Sequence, residues 1–227
     1  MKQDLPFVFS NFAITADGKI AFGNHTFVPF GSTRDREHML ELRATADAVI
    51  CGARTIEQSH ALLAPGAEKY RRERLKHGLR EYNLRIIVSG AASIDPDANI
   101  FKHRFSPIIV LSARAGEARL EKIRAVADEV KVFGERRIDF PAALRWLRAK
   151  WNVKRLLCEG GGRLHGTLVR ADLVDEIHLT ICPKIFGGKD APTMADGAAF
   201  PSLAGAAHFK IKSMQRIGDE MFIILAR

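Results

Sequence analysis

The segment Leu156-Leu-Cys-Glu-Gly-Gly-Gly-Arg-Leu-His165 runs an apolar strand into a carboxylate, Glu159, and then into Gly160, Gly161 and Gly162 ahead of a helical stretch reaching about Arg170. Without Cβ atoms, the N–H groups at the head of such a helix lie open, and the helix dipole adds positive charge there. A phosphate or pyrophosphate is the natural guest, although a tight strand-to-helix turn with no ligand uses the same glycines. The spacing matches neither G-x-G-x-x-G nor the P-loop. Cys51-Gly-Ala-Arg-Thr55 repeats the pattern of strand end, glycine and helix start, with the Arg54 guanidinium and the Thr55 hydroxyl close by. Thr55 by itself is read as a helix cap. Two anion-ready strand exits suggest a dinucleotide lying at the C-terminal edge of a parallel sheet.

Other polar residues carry less. Glu159, at the end of a buried strand, needs partners or a role. Asp17-Gly18-Lys19 sets a carboxylate and an ammonium beside a turn, which by itself reads as a hairpin with exposed charges. Asp175 reads as structural. His25, His60 and His165 are isolated, fit solvent exposure or ordinary hydrogen bonding, and make no metal set. Cys51, Cys158 and Cys182 each sit in an apolar run and read as buried small hydrophobes in a reducing compartment.

The elements that must hold these residues follow from periodicity. Phe7 to Thr15 is rich in aromatic and β-branched residues and ends at Asp17-Gly18, a tight-turn signal. Ser32 or Thr33 caps a helix carrying Met39, Leu40, Leu42 and Ala46, and Asp47 to Gly52 then reads as a buried strand. Further strands are expected at Leu84 to Ser89, Pro107 to Ser112, Val130 to Phe133, Lys154 to Cys158 and Glu176 to Cys182. Helices are expected at Gly116 to Ala127 and Phe140 to Lys150. Alternation of this kind predicts an α/β protein with a mostly parallel sheet. Phe209 to Arg216 and Glu220 to Ala226, joined by Ile217-Gly218-Asp219, predict a terminal antiparallel hairpin. No linker, repeat or low-complexity segment interrupts 227 residues that are 47% hydrophobic, so a single domain over 1–227 is expected.

The formal net charge of +9 favours acidic partners. The densest basic run, Lys69-Tyr-Arg-Arg-Glu-Arg-Leu-Lys76, is broken by Glu73 and reads as a solvated helical face. No nucleic-acid motif or interleaved aromatic set accompanies it, so a phosphorylated small molecule is expected rather than nucleic acid. No apolar run approaches the roughly 20 residues that cross a bilayer. Met1 to Pro6 carries no basic-then-apolar leader, and a cytoplasmic protein is expected.

Three segments in register resemble one family. Phe9-Ser-Asn-Phe-Ala-Ile-Thr-Ala-Asp-Gly-Lys-Ile-Ala21 is similar to S-N-x-x-x-S/T-x-D-G-K-I/L-A. Leu42 to Thr55 is similar to R-A-x-x-D-A/G-x-x-x-G-x-x-T. Leu157 to Leu164, with Leu173-Val-Asp-Glu176 and Pro183-Lys-Ile-Phe-Gly-Gly-Lys189, is similar to E-G-G-G-x-L, L-V-D-E and P-K-I-F-G-G-K. The family is the pyrimidine reductases of riboflavin synthesis, found alone or as the C-terminal half of a bifunctional deaminase-reductase. The resemblance implies a dihydrofolate-reductase-like three-layer fold with helices on both faces of the sheet, a homodimer, and NADPH. It implies reduction of the ribosyl group of a ribosylamino-pyrimidinone 5′-phosphate to ribityl by hydride transfer to C1′. It places Thr55, Gly160, Gly161, Gly162, Arg163, Leu164 and His165 at the cofactor, where Arg54 and Ser59 are expected from their positions beside Thr55, and it places Asn11, Asp17, Lys19, Arg43, Leu63 and Glu159 at the substrate. It implies no catalytic acid–base pair and no metal.

The chain departs from that family after Thr55. Ser59-His60-Ala61-Leu62-Leu63 replaces an Asp-Asp-Pro-x-Leu segment, and Ala64 to Arg85 holds a longer helical insert with Arg71, Arg72 and Arg74 where a short basic connection helps hold the substrate phosphate. A paralogous reductase of a pterin or dihydrofolate is the alternative. Arg54 and Arg163 are the candidates for reading the cofactor's 2′-phosphate. No H-x-E with a following C-x-x-C occurs, so the zinc site of a deaminase is not expected.

Overall fold

A computed structural model describes residues 4–24 and 28–227. His25 and the beginning of Met1 to Pro6 lie outside the described residues. In chain order the described elements are β1 (Phe7–Thr15), α1 (Thr33–Thr45), β2 (Ala48–Gly52), α2 (Ala53–Ser59), α3 (Glu68–Lys76), β3 (Leu84–Val88), α4 (Asn99–Lys102), β4 (Ile108–Ser112), α5 (Glu117–Arg124), β5 (Glu129–Val132), α6 (Phe140–Trp151), β6 (Arg155–Cys158), α7 (Gly162–Arg170), β7 (Glu176–Cys182), β8 (Lys210–Ile217) and β9 (Glu220–Ala226). By their internal contacts these residues form two compact units. One comprises the described residues up to Phe7 with Leu40–Leu157, the other Val8–Met39 with Cys158–Arg227.

In the first unit the strands run in the order β5-β4-β3-β2-β6. The pairs β2–β3, β3–β4 and β4–β5 are all parallel. Strands β2, β3 and β4 are near-continuous apolar runs, as strands covered on both faces must be. The Asp47 carboxylate accepts the N–H groups of Lys154 and Arg155, which fixes the entry of β6. Helix α6 follows its sequence signals. Asp139 caps it by accepting Ala142 N–H, Pro141 sits in its first turn, and Asn152 ends it in the left-handed region.

The basic insert corrects the expectation of a solvated face. Arg74, in the last turn of α3, is fully buried, and its guanidinium donates to the carbonyls of Arg43, Ala46 and Arg80. Arg43 lies in the last turn of α1 and Ala46 just beyond it, so a buried cation satisfies carbonyls that the helix cannot. Burial pushes Arg74 down to about 10, although Asp47 opposes the shift. Helix α3 thereby serves as a clamp on the end of α1.

In the second unit the order is β1-β7-β9-β8. Strand β1 pairs in parallel with β7 from Phe9–Glu176 to Thr15–Cys182, and β7–β9 and β9–β8 are antiparallel. The expected hairpin is present, with Gly218 at φ +60 in its turn. Ser32 is the residue that caps α1. Its hydroxyl accepts Asp35 N–H and donates to Glu220, whose carboxylate also takes Ser32 N–H. Asp175 is structural as read, accepting Val8 N–H. All three cysteines are buried and free, and burial pushes Cys158 and Cys182 up to about 12, so neither is a reactive thiolate.

Candidate active site

The glycine-bordered exit of β6 forms in the second unit. Gly160 has φ +101, a conformation that L side chains rarely adopt, and the Phe12 ring lies against it. Helix α7 begins at Gly162, so Arg163, Leu164 and His165 stand in its first turn rather than in a loop. Gly161, its N-cap residue, supplies no side-chain cap, and no acidic residue occupies the first turn. The leading amides of α7 have no acceptor within the helix, which leaves an electropositive end.

The glycines do not all serve that end. A methyl group at Gly162 would collide with Thr193 O, and one at Gly166 with Asp196 O. The segment Thr193–Asp196 therefore lies directly on α7, and this close approach is what requires both glycines. Asp196 N–H donates to Gly162 O, and its carboxylate accepts the N–H and hydroxyl of Thr193. Sequence reading missed this segment, which carries no periodic or glycine-rich signal of its own.

His165 is fully buried, and both ring nitrogens are used inside the unit, one by Ser10 Oγ at 3.0 Å and the other by Met194 O at 2.8 Å. Its side chain is a brace of α7 and not a surface for a cofactor. Leu164 is likewise buried. Arg163 is exposed at the helix head and Glu159 is half-buried just before Gly160. The Thr167 hydroxyl bonds back to Arg163 O.

Asp17 and Lys19 hold the loop that follows β7. The Asp17 carboxylate accepts the Thr15 hydroxyl at 2.6 Å and the N–H groups of Phe186 and Gly187 at 3.2 and 2.7 Å. The Thr15 hydrogen bond, assisted by those amides, pulls Asp17 down to about 2. Lys19 Nζ donates to Ala191 O, and Lys19 bridges to Thr193. The two residues expected at the substrate thus position the Pro183–Thr193 segment. Asn11 differs: its Oδ1 is buried and has no donor among the described residues.

In the first unit, β2 exits into α2 as expected, but its cap is Gly52 and Thr55 is the helix's third residue, which corrects the reading of Thr55 as a cap. Thr55 is half-buried and Arg54 exposed. The Ser59 hydroxyl donates to Thr55 O at 2.7 Å, so its proton is used within α2. Arg43 is buried and donates to Ala64 O at 2.6 Å. Leu63 is fully buried at φ +55, with its carbonyl held by Asn83 Nδ2, so its side chain belongs to the core rather than to a pocket wall. The three arginines of the insert are also committed: Arg71 to Glu81 and Tyr82, Arg72 to Glu68, and Arg74 to backbone. None is a ready grip for a substrate phosphate.

Parallel strands that release helices behind glycines, with a C-terminal hairpin, define a dihydrofolate-reductase-like α/β protein. A solved structure of Acinetobacter baumannii RibD shares that fold, with TM-score 0.77 and 18% identity, over 100% of this chain and 59% of that one. The chain matches the RibD C-terminal domain family over residues 6–223 and belongs to it. A relative from Archaeoglobus fulgidus, named 2,5-diamino-6-ribosylamino-4(3H)-pyrimidinone 5′-phosphate reductase, is 33% identical over 98% of each chain. One of the same name from Methanothermobacter thermautotrophicus is 29% identical over 96% of each.

Proposed function

We propose that this chain is an oxidoreductase of riboflavin biosynthesis that reduces the ribosyl group of a ribosylamino-pyrimidinone 5′-phosphate to ribityl, using NADPH, as one reductase domain over 1–227. The head of α7 behind Gly160 and Gly161 carries the reading, because its N-cap Gly161 gives no side-chain cap, its first turn holds no acidic residue, and leading amides of that kind suit a pyrophosphate. Arg163 beside it adds a further donor, and in the first unit Arg54 and Thr55 stand at the head of α2. When bound, the reduced nicotinamide supplies a hydride to C1′ of the ring-opened sugar imine. The protein contributes position and electrostatics.

For the substrate, the unpaired Asn11 Oδ1 is a donor-seeking acceptor, and Glu159 and the Asp17-held Phe186–Gly187 loop complete the set. Burial of Leu63 and the commitment of Arg43, Arg71, Arg72 and Arg74 leave the substrate phosphate to residues outside the insert. A homodimer fits the edge strand β8, whose residues Ile211 and Met214 are 65% and 61% exposed. A cytoplasmic location completes the proposal, and no described helix is long and apolar enough to cross a membrane.

The test is turnover. Purified protein with NADPH and the ribosylamino-pyrimidinone phosphate should lose the absorbance of the reduced nicotinamide, and dihydrofolate should not replace that substrate. Turnover of dihydrofolate alone would move the assignment to a paralogous reductase. Asn11→Ala should raise KM for the pyrimidine without changing NADPH affinity.

A further inference from the structure

In the second unit, side chains alternate along β1 and so divide it into two faces. Ser10 and Phe12 face α7, where they meet His165 and Gly160, so Phe9, Asn11, Ala13 and Thr15 face the other way. On β7 that second face carries Glu176, His178 and Thr180: the His178 ring meets Phe9 edge-on and lies 3.2 Å from His38 of α1. The α1 residues from Thr33 to Met39 pack there, starting at the C-terminal end of β7, because Ser32 and Cys182 both bond to Glu220. Ligands of open α/β proteins gather at that end of parallel strands.

Most polar groups of this face are engaged. Glu220 accepts from Ser32 and from the Cys182 thiol, and Glu176 is paired with Lys212 and His178. Three atoms are left over: Asn11 Oδ1, Asp35 Oδ1 and Thr180 Oγ1 are buried and have no hydrogen-bond partner among the described residues. Thr180 is only 1% exposed, and a hydroxyl so enclosed is costly until something arrives to meet it. It leans toward the Asp35 carboxyl without closing a hydrogen bond, and Glu220 and His38 are the titratable neighbours of that carboxyl. Burial raises Asp35 above the ordinary carboxylate range, against the pull of Thr180, so its charged form gains from any donor brought to it. The face is open at its centre: Asn11 and Ala13 are half-buried, whereas Phe9 and Thr15 on either side of them are buried. Ala13 is level with Thr180, and its small side chain leaves a cleft between Asn11 and Thr180.

We propose that the pyrimidinone ring of the substrate enters this cleft with its amine-bearing edge toward Asp35, Thr180 and Asn11, and that Asp35 reads the amino group at C2. The proposal rests on the reductase reading above and adds to it a residue that sets substrate choice. A carboxylate accepts from the C2 amino group and the adjoining N3–H together, whereas a carbonyl at C2 would set oxygen against oxygen. Asn11 Oδ1 accepts from another amine hydrogen of the ring, and the Thr180 hydroxyl, both donor and acceptor, closes the set. Asp35 lies outside every segment that resembles the family, so no motif points to it.

The experiment compares two substrates, the ribosylamino-pyrimidinone phosphate with an amino group at C2 and its counterpart with a carbonyl there. Turnover with NADPH is followed for the wild type, Asp35→Asn and Thr180→Val, and NADPH dissociation constants and thermal melts are measured on the same proteins. The wild type should prefer the amino substrate by about tenfold or more in kcat/KM, since a site built around a donor rejects an analogue that lacks it. Asp35→Asn, whose amide can donate to a C2 carbonyl, should lose or reverse that preference through KM, with NADPH affinity unchanged. Thr180→Val keeps the shape of the side chain and should raise KM for the amino substrate by about threefold or more. It carries the test if Asp35→Asn does not fold. A wild type that uses both substrates equally or favours the carbonyl form, or folded variants that keep the wild-type KM values and preference, overturns the assignment of Asp35 but leaves the reductase reading standing. A wild type that oxidises NADPH with neither substrate removes the reductase reading, and this proposal with it.

Discussion

Ser10 Oγ stands 3.0 Å from His165 Nε2, tying strand β1 to the first turn of the helix that carries the glycine exit. The other ring nitrogen, Nδ1, meets Met194 O, which can only accept, so Nδ1 bears a proton. Burial pushes the imidazole down to about 4, so it is neutral at pH 7 and its Nε2 accepts from the Ser10 hydroxyl.

This sets a pH dependence. The unfolded chain takes up the proton near pH 6.5, whereas the folded one resists it until about 4. His165 therefore favours the folded state above pH 6.5, and that advantage is lost as pH falls through about 4. The difference is worth about 3 kcal/mol, at roughly 1.4 kcal/mol per pKa unit. Urea midpoints measured between pH 7 and pH 4 should fall more steeply for the wild type than for His165→Gln. Parallel curves would contradict the neutral, buried tautomer.

Replacing Arg74 by methionine should cost about 2 to 4 kcal/mol, because three carbonyls lose a buried, charge-assisted partner. Chemical denaturation reads this directly. NADPH affinity should be unaffected once the variant is folded, since the guanidinium is committed to the end of α1. A selective loss of substrate phosphate affinity, with stability unchanged, would instead make Arg74 a ligand group.

Asp17→Asn should loosen the loop after β7. The carboxylate sits well below its ordinary range, at about 2, so its hold is complete above pH 3.8 and is lost as pH falls through about 2. At neutral pH, hydrogen exchange at the Phe186 and Gly187 amides should speed up in the variant, while β1 and β7 amides keep their protection. Unchanged exchange at those two amides would show that the loop is held by other contacts.

The two helical glycines under Thr193–Asp196 should be intolerant of any side chain. Gly166→Ala should destabilise by more than about 2 kcal/mol, because the obstacle is backbone that cannot swing away. Gly78, at φ +70 with open space around it, provides the comparison, and Gly78→Ala should cost only about 1 kcal/mol. Thermal melts of the two variants separate close approach from conformational strain.

Local sequence was sufficient for the elements. The apolar runs of β2 to β4, the Asp139–Pro141 start and Asn152 stop of α6, and the Gly218 hairpin all formed where their residue types direct them, because these signals act over a few neighbouring residues. The glycine exit of β6 was legible for the same reason. Thr55 was misread as a cap because a helix can begin at an uncapped glycine, and here Gly52 takes that position and leaves Thr55 third in α2.

What residues do across long separations was decided only by tertiary structure. Arg74 reads as one more surface charge in Lys69–Lys76, yet folding carries it to the carbonyls of Arg43 and Ala46 and encloses it. The family resemblance places Asp17 and His165 at ligands, and the fold brings Phe186, Gly187 and Met194, all distant in sequence, to their polar atoms. The chain by itself determined the strands, the turns, the two glycine exits and, through three motifs in register, the family. Which polar groups stay open for a ligand depends on which of them find a partner in the folded core. A hydrogen bond depends on distance in space, and sequence separation does not reveal it.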